Sequence, residues 1–141
     1  MITQKTKPYF LFVILIAPIL ILRIITAAYP IIKTINQRGN ALMTGFGEIL
    51  TEAGIPHTVT GVPSMFGMVL GNDQEPHDFR DYFKGDGELY EEIAMELIHR
   101  GVQPDADARE PWFLCYALSD DDVNETLNIF NDSVKAAKHQ H

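Results

Sequence analysis

The sequence predicts an α/β protein of the α+β kind. It should hold a small, mostly antiparallel three-stranded sheet with helices packed on one face, plus an apolar N-terminal helix. Three observations predict it. Apolar residues recur at helical spacing in three separate segments. Two short runs, Met65–Leu70 and Trp112–Ala117, are apolar almost throughout, as strands covered on both faces are. Glycine, proline or a capping residue punctuates most of these elements.

The first helix of the folded module is expected over about Ile31 to Ala53. Ile35, Leu42, Phe46, Ile49 and Leu50 fall on one face, and Gly54 followed by Pro56 marks its end. Gly39 and Gly45 weaken that helix by about 1 kcal/mol each relative to alanine. A strand follows at His57–Thr60, then a turn at Gly61-Val62-Pro63, then the strand Met65–Leu70. The polar stretch from Gly71 to Gly87 holds a short helical turn near Asp78–Phe83.

The second helix is expected over Gly87 to Arg100, with Leu89, Ile93 and Leu97 repeating every four residues. Glu88 and Glu91 suit its positive end, and His99 and Arg100 its negative end. After the loop from Val102 to Pro111 comes the strand Trp112–Ala117. The third helix, Asp120 to Lys138, opens with a capping box: Ser119 at the N-cap and Asp122 at the third helical position. Leu118 and Val123 are spaced as a hydrophobic staple, and Val123, Leu127, Phe130 and Val134 form the core stripe.

A chain of 141 residues fits one domain with a modest core. Its net charge of −8 is unevenly placed. Residues 1–40 carry five bases and no acids; the remainder carries six bases and all 19 acids, a balance of −13. An acidic module without a basic, aromatic-laced stripe does not fit a nucleic-acid partner.

Tyr9 to Leu22 is a run of 14 residues, apolar apart from Pro18. As a helix it reaches about 21 Å, short of a hydrocarbon core of about 30 Å. Extension through Ala28 supplies the length but includes Arg23, which costs about 2.5–3.5 kcal/mol centrally and less near an end, where it snorkels. Three readings stay open: a signal peptide with small residues at Thr26-Ala27-Ala28, a membrane anchor, or a segment foreign to the fold. Bases flank the run on both sides, so charge does not decide its orientation.

Few residues suggest chemistry by type alone. Cys115, the only cysteine, excludes an internal disulfide and reads as a small buried hydrophobe within its strand. His57, His77 and His99 lack metal-pair spacing, and the tail His139 and His141 offers only adventitious binding, so no metal site is expected. Asp105, Asp107 and Glu110, with Arg109 between them, read by themselves as a solvated loop, with the lining of a cleft as the alternative.

Several local strings carry a family resemblance. They are Ala53-Gly54-Ile55-Pro56, Pro63-Ser64-Met65-Phe66, Leu97 to Pro104 and Ser119-Asp120-Asp121-Asp122-Val123, in that order and spacing. Together they resemble the C-terminal small domain of class III, pyridoxal-phosphate-dependent aminotransferases, closest to the glutamate-1-semialdehyde 2,1-aminomutase branch. The match covers about Tyr29 to Lys138, roughly the last quarter of such an enzyme. It departs at Pro63, often glycine in the family, and at a longer loop over Asp105–Glu110.

The resemblance implies a division into an apolar segment 1–28, a small domain 29–138 and a tail 139–141. It implies the small domain of a fold-type I enzyme that moves amino groups with pyridoxal phosphate, as a homodimer and in the cytoplasm. Glu110 is the counterpart of a family glutamate near the substrate, and Ser64, opening a strand at the domain boundary, is a second substrate-side candidate. No catalytic, cofactor-binding or metal-binding residue is expected in this chain. Its lysines (Lys5, Lys7, Lys33, Lys84, Lys135, Lys138) fall outside the family's lysine motif, and no glycine-rich loop cradles a phosphate. The expected partner is therefore a large domain carrying the cofactor, and the chain alone is expected to bind none. The rival expectation is a detached, non-catalytic binding module tethered to a membrane through residues 9–28.

Overall fold

The computed structural model describes residues 8–138, and the chain divides into two units after Lys33. One helix, α1, runs Pro8–Glu52. Beyond it come β1 (His57–Val62), β2 (Met65–Leu70), a 3-10 turn (Asp81–Lys84), α2 (Gly87–His99), β3 (Trp112–Phe113) and α3 (Asp120–Lys138). The element order of the module matches the sequence reading. The apolar run and the first predicted helix are one uninterrupted helix. Pro18 and Pro30 lie inside it.

The sheet has the order β1-β2-β3, antiparallel throughout. Side chains alternate between the faces of a strand. Phe66, Met68 and Leu70 of β2, with Val59 of β1 and Trp112 of β3, therefore share the face on which the core forms. The helices supply the rest: Leu42, Phe46 and Leu50 from α1, Leu89, Ile93 and Leu97 from α2, and Val123, Phe130 and Val134 from α3. Aromatic rings centre it. Phe46 lies 4.2 Å from Phe130 and 5.0 Å from Trp112 between ring centroids, while Trp112 stacks on Phe66 at 6.1 Å with 12° between planes.

The opposite face is covered in part by the chain's own loop. Gly85 approaches β2 so closely that a Cβ there would meet Val69 Cγ1 at 2.6 Å, and Tyr82 Oη lies over Gly67. Val69 is buried by this cover although it faces away from the helices.

The predicted caps form as read. Ser119 Oγ accepts from Asp122 N at 3.1 Å, and Asp122 Oδ2 accepts from Ser119 N at 2.7 Å. Val123 is buried and Leu118 packs against the core. Gly54, at φ 70°, ends α1, and Ile55 N returns to Leu50 O at 3.0 Å.

Three expectations need correction. The third strand stops at Phe113 rather than Ala117, because β2 begins at Met65. Leu114 N still reaches Ser64 O at 3.1 Å, and beyond it no β2 residue remains to pair. Cys115 consequently lies exposed, not buried in a strand. The turn after β1 is Pro63-Ser64, and Gly61 and Val62 stay in the strand. Gly61 adopts φ 117°, which a side chain disfavours, and a Cβ there would meet Met65 O at 2.7 Å.

Gly39 and Gly45 are not mere weaknesses of α1. A Cβ at Gly39 would sit 1.8 Å from the Pro63 carbonyl oxygen, and one at Gly45 would sit 2.5 Å from Leu127 Cδ2. Their missing side chains let the helix press onto the hairpin turn and onto α3.

Candidate functional site

The two substrate-side candidates occupy different ends of the third strand's line. Ser64 lies in the Pro63-Ser64 turn, half-buried, with its carbonyl accepting from Leu114 N. Glu110 is exposed in the loop before β3, its own N–H donating to Asp107 O at 3.0 Å. Since β2 and β3 pair Met65 with Phe113 and Phe66 with Trp112, Ser64 stands opposite Leu114. Glu110 lies four residues further along, roughly 13 Å at about 3.3 Å per residue. The fold does not bring the two side chains together.

The acidic loop splits between two clefts. One, of about 360 Å³, is lined by Gln103, Asp105, Glu110, Trp112 and Phe113 among others. The other, of about 530 Å³, is lined by Tyr82, Phe83, Glu88, Glu91, Asp107 and Arg109 among others. Arg109 is committed within this second cleft. Its Nε donates to Asp107 Oδ1 at 2.6 Å, a second guanidinium nitrogen donates to Asp107 Oδ2, and its carbon lies 5.3 Å from the centre of the Phe83 ring. The guanidinium holds the Asp107 carboxyl down to about 2, and Asp107 in turn raises Arg109. Asp105 serves the loop itself, accepting from Asp107 N at 2.9 Å.

Behind Glu110 the strand is anchored by a bond that sequence reading missed. Trp112 Nε1 donates to Tyr90 Oη at 3.1 Å, and Tyr90 Oη donates to Asp105 O at 3.3 Å. Burial pushes the Tyr90 phenol up to about 12. A tyrosine one residue after the Leu89 position of the α2 stripe was the available signal. Phe79 and Phe83 were also missed. They are exposed and meet edge to face at 5.4 Å between centroids.

The described lysines do not fit pyridoxal phosphate. Lys33, Lys84, Lys135 and Lys138 are all exposed; Lys84 Nζ donates to Asp81 Oδ1 at 2.5 Å, and Lys138 Nζ donates to Ala53 O at 2.6 Å. The N-terminus of α2 is capped by the Asp86 carboxylate, which accepts from Leu89 N at 3.0 Å and leaves no anion cradle there. Lys5, Lys7, His139 and His141 lie outside the described residues. Among the described residues no group of three or more His, Cys, Asp or Glu is placed to hold a metal ion.

Known proteins resemble this chain in sequence and in fold. No family model matches it. The glutamate-1-semialdehyde 2,1-aminomutase of Aquifex aeolicus is 33% identical over 103 residues, covering 73% of this chain and 24% of that protein. The protein of the same name from Thermoplasma acidophilum is 35% identical over 103 residues, covering 72% and 24%. An omega-transaminase from Sphaerobacter thermophilus shares the fold with a TM-score of 0.68 at 20% identity, over 77% of this chain and 25% of its own. A glutamate-1-semialdehyde-aminomutase from Pseudomonas aeruginosa does so at 0.66 and 18%, over 74% and 23%. The chain thus spans about a quarter of the length of the relatives it matches.

The sheet, its one-sided helices and this sequence kinship define a class: the matched residues have the fold of the C-terminal small domain of class III aminotransferases. Within that class the sequence kinship is to proteins named glutamate-1-semialdehyde 2,1-aminomutase, of which this chain spans about a quarter.

Proposed function

We propose that residues 29–138 act as the substrate-closing small domain of an amino-group-transferring enzyme of the aminomutase kind. The cofactor, its Schiff-base lysine and the phosphate cup come from a large domain outside these residues. The observation that carries this reading is an uncovered apolar row on the sheet face away from the helices. Val62, Met65 and Phe113 are register partners across all three strands, and they are 54%, 45% and 72% exposed. Cross-strand apolar neighbours left in water mark a surface that another body covers.

In this reading the large domain seats on that row, and closure of the two domains excludes water from the substrate. Glu110, at the rim of the smaller cleft, orients the substrate or the facing lobe, and Ser64 lies at the domain boundary. The working unit is a homodimer. Pyridoxal phosphate supplies the electron sink for the chemistry when it is bound in the large domain.

The test is complementation in trans. A glutamate-1-semialdehyde aminomutase lacking its small domain is mixed with this chain, and turnover is measured. Recovery of activity supports the proposal, and Glu110→Gln should then raise KM more than it lowers kcat. Failure of a folded chain to bind or rescue the large domain refutes it. The chain alone, mixed with pyridoxal phosphate, is expected to show no borohydride-sensitive absorbance.

A further inference from the structure

The N-terminal part of α1 has an exposure pattern that a protein groove does not satisfy. Ile19, Leu20, Ile21 and Leu22 are consecutive, and at about 100° per residue they point in four directions around the axis. All four are 56–61% exposed, as are Ile24 and Ile25. None of the most apolar 18-residue window from Pro18 onward is buried. A helix seated in a protein groove needs one apolar stripe at i, i+3, i+4 and i+7, with a polar back. A helix apolar on every side is matched by hydrocarbon.

The length and the rims agree. Tyr9 and Tyr29 are 20 residues apart on one continuous helix, about 30 Å at 1.5 Å per residue, which is about the thickness of a bilayer's hydrocarbon core. Aromatic rings favour both boundaries of that core. Beyond them lie Lys5 and Lys7 on one side and Lys33 on the other, with no acid before residue 41. Arg23 lies six residues from Tyr29, about 9 Å, so its long side chain can reach toward the nearer headgroups. The Thr26 hydroxyl donates to Leu22 O at 2.9 Å and is 3.0 Å from Arg23 O, so its polar group is satisfied within the helix.

We propose that Tyr9–Tyr29 crosses a lipid bilayer and tethers the acidic module to the membrane surface. The proposal does not depend on the aminomutase reading, since its test uses no enzyme activity.

The experiment takes the full chain, expressed in cells, recovered from the membrane fraction and measured by intact mass. It is then reconstituted with phosphatidylcholine–phosphatidylglycerol vesicles and floated on a density gradient in alkaline carbonate. The expected result is an intact chain that floats. The double change Leu20→Arg with Ile21→Arg should lower the floated fraction at least tenfold without altering the Trp112 emission of the folded module. A Cys115→Ser background carrying Leu20→Cys and an environment-sensitive dye should show a blue-shifted emission with vesicles, and Asn36→Cys should not. An intact chain that stays at the bottom of the gradient overturns the proposal. So does a chain from cells that begins after Ala28, which marks a cleaved leader, and so does flotation unaffected by the two arginines.

Discussion

Replacing Gly39 by alanine should destabilise the module, although helix propensity predicts the reverse. Alanine in place of glycine inside a helix contributes about 1 kcal/mol. At Gly39, however, the new Cβ would lie 1.8 Å from the Pro63 carbonyl oxygen and 2.4 Å from its carbon. Ordinary carbon–oxygen contact is about 3.3 Å, so helix and hairpin turn must separate by more than 1 Å. The obstacle is backbone, which cannot rotate away. Overpacking of this kind costs about 1–3 kcal/mol and occasionally more. The net expectation is a loss of up to about 2 kcal/mol, or up to roughly 8–16 °C in Tm for a module of this size. Gly47 is the internal control. Its Cβ would meet only His57 Nε2, at 3.5 Å, so Gly47→Ala should stabilise by about 0.5–1 kcal/mol. Urea unfolding followed by the single tryptophan, Trp112, measures both. Equal stabilisation by the two substitutions would refute the close approach of α1 to the hairpin.

Tyr90→Phe should cost about 1 kcal/mol and alter Trp112 emission, because the indole N–H loses its acceptor and the loop carbonyl of Asp105 its donor; an unchanged urea midpoint and spectrum would remove that anchor. Ser119 lowers the pKa of Asp122 by hydrogen bonding, so the folded state prefers the ionised form. That contribution is complete above the unfolded carboxyl value, about 4, and is lost as pH falls through the lowered folded value; Asp122→Asn should flatten the acid limb of stability against pH, and an unaltered limb would count against the capping box. Asp107 and Asp81, both held down to about 2, act in the same direction between about pH 4 and 2. Phe113→Asp should leave the urea midpoint within about 0.5 kcal/mol of the parent, since the ring is 72% exposed, yet should lower complementation of the large domain at least tenfold; full complementation would show that the apolar row is not the seat.

The helices were legible because their signals are local. The α3 boundaries follow from a capping box whose every donor lies within four residues, and α2 from a four-residue apolar repeat closed by glycine. The third strand was misread because its length is not a local property. Phe113 to Ala117 is apolar enough for a strand, but a strand extends only as far as its partner does, and β2 begins at Met65. The glycines of α1 were misjudged for the same reason. Their value depends on Pro63 and Leu127, 24 and 82 residues away in sequence. Glu110 and Ser64 came from kinship rather than pattern, and neither geometry nor electrostatics singles them out. The sequence offered one cleft for the acidic loop where the structure has two, and the pairing of Arg109 with Asp107 and its seat over Phe83 required the folded loop.

Two of the apolar surfaces that the described residues leave in water each constrain what must cover them. The row Val62–Met65–Phe113 is one residue wide on each strand, and polar groups border it: Thr60 donates to Glu75 at 3.3 Å along β1. A narrow apolar strip with a hydrogen-bonding rim demands a partner of fixed shape, because its polar neighbours must be satisfied at the same time. Residues 19–25 make the opposite demand. Apart from Arg23 they carry no polar group that the helix itself does not satisfy, so shape matters little and an apolar solvent suffices. The first surface therefore suits the proposed protein partner and the second the proposed bilayer. Net charge agrees with that assignment, since the acids are confined to the part of the chain beyond residue 40 and the apolar segment 9–29 carries none.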